Sequence, residues 1–108
     1  MTDYNAILAQ GGATLGKNGQ AVQLKTGYQV SSQDVATIPA QDFNQAAVEN
    51  IVSMLTSKGM YAGFWLDDGK VYCDISRRHS TKKDAIAAGR AYNQIAVWDW
   101  KHSKSVYC

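Results

Sequence analysis

The sequence predicts an α+β fold in which two helices pack on an antiparallel sheet of about five strands. Strand-like segments are clustered along the chain, and they do not alternate regularly with helices as they do in a doubly wound parallel sheet. Asn18-Gly19 and Asp68-Gly69 each separate two such segments, which is typical of tight antiparallel hairpins. The chain has 108 residues, of which 45% are hydrophobic, and this size suits one core. We therefore expect a single domain over residues 1–108.

Residues 1–40 are predicted to form an N-terminal hairpin region. Strands are expected at residues 13–15 and 21–30, on either side of a turn over residues 16–19. Residues 31–40 end in an Ile-Pro pair and are interpreted as a loop that leads to a helix. Close to the start of the chain, the spacing of Tyr4, Ile7 and Leu8 predicts one short helical turn.

A helix is expected over residues 43–58, within a central segment of residues 41–59. Asp42 is the predicted N-cap, and Gly59 lies where a left-handed C-cap residue belongs. The apolar residues recur at helical spacing and form one stripe, made of Phe43, Ala47, Val48, Ile51, Val52 and Leu55. The stripe is wide enough to cover one face of a sheet, so this helix is interpreted as part of the core.

The C-terminal unit, residues 60–108, holds most of the large side chains and predicts a hairpin, a helix and two more strands. Thr81 is the expected N-cap of the helix, with Asp84 at the spacing of a capping box. The expected elements are strand 60–66, turn 67–69, strand 70–76, helix 81–92, strand 95–100 and a short edge strand 105–108.

Side-chain alternation along these strands separates two faces of the sheet. One face is apolar and comprises Phe64, Leu66, Val71, Cys73, Ile75, Ile95 and Val97. The other is unusually aromatic and comprises Tyr61, Trp65, Tyr72, Asp74, Trp98 and Trp100. Two interpretations stay open for the second set. Its rings either pack beneath the first helix or the N-terminal hairpin as core, or form a partly exposed aromatic face.

No arrangement of residues in the sequence indicates an enzyme, a metal centre or a cofactor site. The residues that could bind a metal or act as a nucleophile are His79, His102, Cys73 and Cys108. No two of them lie four residues apart or form a Cys-x-x-Cys motif. Two cysteines are too few for a disulfide framework, so both are expected to be free thiols. We predict a protein without catalytic residues, without a metal and without a cofactor.

Charge and aromatic residues together predict a surface that binds a partner. Residues 60–108 carry eight Lys and Arg against five Asp, which is a smaller excess than nucleic-acid binders of this size usually have. Trp, Tyr and Arg dominate the hot spots of protein interfaces, so a protein partner is expected, although the same rings could stack on nucleic-acid bases or a nucleotide. The predicted partner-binding residues are Arg77, Arg78, Arg90, Trp65, Trp98, Trp100 and Lys101.

The sequence contains neither a membrane-spanning stretch nor a signal peptide. No apolar run approaches the roughly 18 residues that a membrane helix needs. The first residues lack the basic start and apolar stretch of a secretion signal. We expect no membrane partner and a cytoplasmic location, whereas the sequence sets no oligomeric state.

Residues 60–108 also resemble a small module of phage and prophage accessory proteins, especially those of Gram-positive hosts. The resemblance rests on Gly63-Phe64-Trp65, on Tyr72 and Asp74-Ile75-Ser76, on Ala85-Ile86 and Gly89-Arg90, and on the run from Asn93 to Asp99. It implies an anti-CRISPR-like inhibitor, without enzyme activity, that binds and blocks a defence protein or complex in the host cytoplasm. The alternatives are a sponge that sequesters a nucleotide defence signal and a small nucleic-acid-binding module.

Overall fold

The structure is a computed structural model that describes residues 1–108, and it has the predicted α+β fold. It contains three α-helices, one short 3-10 helix and six strands. In chain order the elements are α1 (Tyr4–Gln10), β1 (Gly12–Leu15), β2 (Tyr28–Pro39), the 3-10 helix (Ala40–Asp42), α2 (Gln45–Ser53), β3 (Met60–Asp67), β4 (Lys70–His79), α3 (Lys82–Ala91), β5 (Ala96–Asp99) and β6 (Lys104–Tyr107). None of the helices has the length and hydrophobicity that a membrane span requires.

All six strands form one antiparallel sheet in the order β1-β3-β4-β2-β5-β6. The β3–β4 hairpin is confirmed, and its two turn residues, Asp68 and Gly69, have φ angles of 50° and 72°. Two consecutive left-handed residues are the signature of a type I′ turn, which matches the twist of the flanking strands. β5 pairs with β2 across the sheet, so the last hairpin lies beside an N-terminal strand rather than beside β4.

The predicted strand at residues 21–30 is confirmed only over residues 28–30, and the predicted loop at residues 31–40 is wrong. The N-terminal hairpin is short: it consists of the bridge between Leu15 and Ala21 and of backbone hydrogen bonds from Gly16 to Gln20 and from Val22 to Thr14. The long strand β2 occupies the segment expected to be a loop. The polar residues in this segment are typical of loops, but in the structure their backbone hydrogen-bonds to β4. β2 accommodates the extra residues with two register shifts, between Ser31 and Gln33 and between Asp34 and Ala36.

The bounds predicted for the first long helix are also wrong. Asn44, rather than Asp42, is the N-cap, because its side chain accepts a hydrogen bond from the Ala47 amide at 3.1 Å. The helix ends at Ser53, so Gly59 lies in the following loop and does not cap it. For α3 the predicted cap is confirmed, since the Thr81 hydroxyl accepts from the Asp84 amide at 3.3 Å. The short turn expected near the start of the chain is the helix α1, which adds a third helix.

The helices all pack on one face of the sheet and enclose two adjoining cores. The larger core joins α1 and α2 to β1, β3 and β4, whereas the smaller one lies under α3 and contains Val30, Ala85 and Val97. Cys73 is buried in the larger core, where burial, reinforced by the neighbouring charge of Asp74, raises the pKa of its thiol to about 11. Both cysteines are free.

Ile51→Ala should destabilise the protein by roughly 2–4 kcal/mol, because Ile51 is 4% exposed and its truncation leaves a cavity between α2 and the sheet. Urea unfolding followed by circular dichroism measures this change in the free energy of unfolding. Asn50→Ala, at an exposed position of the same helix, is the matched control and should change stability little. Equal midpoints for the two variants would contradict the burial of this helix face.

Candidate functional site

The face of the sheet that carries no helix is the candidate functional site, and we call it the open face. Along β4, the side chains of Val71, Cys73 and Ile75 enter the core beneath the helices. The alternate side chains of β4 therefore project from the open face. Strand register extends the open face across the sheet through Trp65 on β3, Gln29 and Ser31 on β2 and Trp98 on β5.

A groove of about 870 Å³ runs along the open face. One wall is formed by β1 with the segment 21–23, and the other by β5 and β6. The floor contains polar residues from the central strands β2 and β4. The three tryptophans of the chain all line this groove, and Asp74 is its only charged lining residue. The groove therefore combines large aromatic surfaces with a single negative charge.

A hydrogen-bonded network links β4, β2 and Trp100, the residue that follows β5, in the floor of the groove. The side-chain amide of Gln29 donates to the Ser76 hydroxyl at 2.8 Å, and the Trp100 indole donates to the Gln29 carbonyl at 3.1 Å. Gln29 and Ser76 are only 8% and 4% exposed, so these bonds satisfy polar groups that have lost most of their water. The neighbouring Ser31 Oγ is buried without a hydrogen-bond partner.

The three tryptophans differ in how much of each ring is buried and in how firmly packing fixes its orientation. Trp98 and Trp100 are half-buried and meet edge to face, with ring centroids 6.4 Å apart. Trp65 is 57% exposed and lies on β3 opposite Tyr72 of β4. Packing and the indole hydrogen bond thus orient the first pair, whereas Trp65 presents most of its ring to solvent. The interpretation of a partly exposed aromatic face is confirmed, because Trp65 and Tyr72 are exposed and Trp98 and Trp100 are only half-buried.

Asp74 has the most unusual electrostatic environment of the groove. Burial, reinforced by the charge of Asp34 opposite it on β2, raises the pKa of the Asp74 carboxyl from 3.8 to about 6. The carboxyl lies against the backbone of Gly63, where the Cβ of any other residue would collide with it. No protein group donates a hydrogen bond to it. A carboxylate with a raised pKa in a cleft is typical of functional sites.

The predicted partner-binding residues do not form one surface. Trp65, Trp98 and Trp100 all line the groove, and Arg78 projects from the same face. The Arg78 guanidinium is engaged within the chain, since it donates to the Thr26 carbonyl and hydroxyl, both at 3.0 Å, and to the Ser80 hydroxyl. The remaining residues lie outside the groove: Arg77 on the helix-bearing face, Arg90 on α3 and Lys101 in the β5–β6 turn.

The β5–β6 turn is held by an acid–base pair that the sequence did not reveal. Asp99 is buried and accepts from the His102 amide at 3.2 Å, while its other oxygen lies 2.8 Å from His102 Nδ1. Burial opposes the ionisation of Asp99, but these hydrogen bonds and the nearby His102 outweigh it and hold the pKa of Asp99 below its usual value.

The expected inward position of Ile95 is wrong, because Ile95 precedes β5 and is 79% exposed.

Sequence reasoning missed the polar floor of the groove, formed by Gln29, Ser31 and Ser76. Alternation along β4 placed Asp74 among the aromatic side chains, so that signal could have marked it as a site residue. The β2 residues carried no such signal, because the polar residues of their segment are typical of a loop.

No group of three or more His, Cys, Asp or Glu side chains is positioned to hold a metal ion. Comparisons of the chain with family models, with curated proteins and with solved structures found no match.

Asp74→Asn should stabilise the protein at about pH 7 by about 1–3 kcal/mol, and this gain should vanish near pH 4. The folded-state pKa lies above 3.8, so the folded protein binds a proton more tightly than the unfolded chain does, and ionisation of Asp74 costs stability as the pH rises through about 6. Urea unfolding at a series of pH values tests this. The control Asp42→Asn removes an exposed carboxylate and should show little gain. A gain that persists unchanged at low pH would exclude ionisation as its cause.

Proposed function

We propose that the protein is a non-enzymatic inhibitor that binds a host defence protein or complex through the groove of the open face. The observation that carries this proposal is the collection of all three tryptophans in one groove that no helix covers. The class of partner comes from the resemblance of residues 60–108 to phage and prophage accessory modules. The predicted location of the interaction is therefore the cytoplasm of the host cell.

The aromatic lining supports a protein partner on energetic grounds. Indole rings that lose water on binding are the commonest hot spots of protein interfaces, and Trp65 keeps 57% of its surface available for that purpose. Trp98 and Trp100 are already oriented by their mutual packing, so a partner has little conformational entropy to remove from them. The groove volume, about 870 Å³, accommodates several side chains of a partner segment.

Charge makes a nucleotide or nucleic-acid ligand the less favoured alternative. Indole rings can stack on bases, but proteins that bind nucleic acids hold the phosphates with Lys and Arg. The groove lining contains neither residue, and its one charged group, Asp74, repels phosphate when ionised. The predicted basic residues Arg77, Arg90 and Lys101 lie elsewhere, so bases and phosphates would have to bind different parts of the surface.

Expression of the protein should restore plaque formation by a phage that the host defence system otherwise blocks, and Trp65→Ser should abolish this protection. The assay uses Gram-positive hosts that each carry one defined defence system, including CRISPR–Cas systems. Trp65 is largely exposed, so the thermal midpoint of the variant should stay close to that of the parent protein.

Tyr92→Ser is the matched control, because Tyr92 is 45% exposed at the end of α3 and lies outside the groove. It should protect the phage as well as the parent protein does. Full protection by Trp65→Ser would remove the groove from the proposed mechanism. Failure of the parent protein in every host of the panel would contradict the inhibitor function itself.

A further inference from the structure

We propose that the groove of the open face recognises a basic side chain of the partner protein, an arginine or a lysine, whose cationic group pairs with Asp74 and packs against Trp65. This inference rests on the proposed function, because it specifies the chemistry of the partner segment that enters the groove. It adds a charge-recognition subsite to a surface that the proposed function describes only as aromatic.

Charge complementarity is the first argument. Asp74 is the only charged residue that lines the groove, and no Lys or Arg lines it. Asp34, exposed on the adjacent strand β2, adds a second negative charge beside Asp74. A cation that enters the groove meets the Asp74 carboxylate, with Asp34 beside it outside the lining, and no positive charge in the lining. An anion in the groove is repelled by Asp74. A neutral segment does not relieve the repulsion between the Asp74 and Asp34 carboxylates.

The incomplete hydrogen bonding of the groove is the second argument. The Asp74 carboxylate has lost much of its water and receives no protein donor, and the Ser31 hydroxyl is likewise without a partner. Asp74 is half-buried and keeps some contact with water, whereas Ser31 Oγ is fully buried. Polar groups that have lost water without gaining a partner cost free energy, which a ligand with several N–H groups can offset. Guanidinium and ammonium groups supply such donors, and a guanidinium can bind a carboxylate through two parallel hydrogen bonds.

The position of Trp65 is the third argument. Asp74 pairs with Gly63 in the β3–β4 register, and Trp65 lies two residues further along β3 on the same face. Such diagonal neighbours are about 7–8 Å apart, which is within reach of a long side chain. Because Gly63 has no side chain, the Asp74 carboxyl lies over the Gly63 backbone, on the side of β4 where Trp65 projects from β3. A cation held by Asp74 can therefore lie against the Trp65 ring in a cation–π contact.

The proposal also specifies a dependence on pH. The titratable groups that face Asp74 are Asp34 from β2, Tyr61 from β3 and Tyr72 from β4, and β1 contributes no charged residue. In the free protein Asp74 takes up a proton as the pH falls through about 6. Protonation removes the charge that attracts the cation, so affinity for a basic side chain should fall on acidification through this range.

The experiment compares two short peptides that differ in one charge, acetyl-Gly-Arg-Gly-amide and its citrulline counterpart, which has nearly the same shape but is neutral. Nuclear magnetic resonance follows the three tryptophan indole N–H signals during titration at about pH 7.5 and about pH 5. The arginine peptide should shift these signals and bind about tenfold more tightly than the citrulline peptide at the higher pH. That preference should shrink at the lower pH.

Asp74→Asn should bind both peptides equally, whereas the control Asp67→Asn, at the exposed end of β3, should keep the preference. An arginine peptide that shifts no indole signal, equal binding of the two peptides, or a preference that survives Asp74→Asn would each overturn the proposal. If Trp65→Ser loses phage protection but the parent protein shows no preference for the arginine peptide, the proposed function is supported and the charge-recognition subsite is contradicted. A charge preference in a protein that protects no phage would establish the subsite and contradict the inhibitor function.

Discussion

The alternation of side chains along β4 is the constraint on which the rest of the structure depends. β4 is paired along its length, with β2 on one side and β3 on the other, so its backbone cannot rotate without breaking both ladders. Val71, Cys73 and Ile75 must then face the helices. Their neighbours in the chain, Asp74 and Ser76, must face away. The core and the groove are two consequences of one strand register.

The curvature of the sheet turns the open face into a groove. A flat sheet would leave the tryptophans scattered over a surface, whereas here β1 and the β5–β6 hairpin form opposite walls. The two register shifts in β2 contribute to this shape, because a bulge bends its strand and increases the local twist. The Asp99–His102 pair then fixes the turn that joins the strands of one wall. The register shifts in the central strand β2 thus affect the position of the outer strands that form the walls of the groove.

The site is assembled partly at the expense of stability. Folding favours a neutral side chain where Asp74 lies, since burial and Asp34 both oppose its ionisation. The buried Ser31 hydroxyl is also unpaired, although its neighbour Gln29 takes part in two hydrogen bonds. Groups that a core would avoid are thus concentrated in the one groove that also holds the tryptophans. Such violations of the rules for stable folding are expected at functional sites, where a ligand can supply the missing partner.

The sequence by itself determined the features that depend on neighbouring residues. These are the β3–β4 turn at Asp68-Gly69, the cap of α3 at Thr81 and the separation of two faces along β4. Tertiary structure alone decided that β2 is one long strand and that it pairs with β5. The physical reason is that local hydrogen bonds and side-chain period are encoded within a few residues, whereas strand pairing is decided by competition among distant segments. The polar floor of the groove belongs to the second class, because its members come from strands that are far apart in sequence.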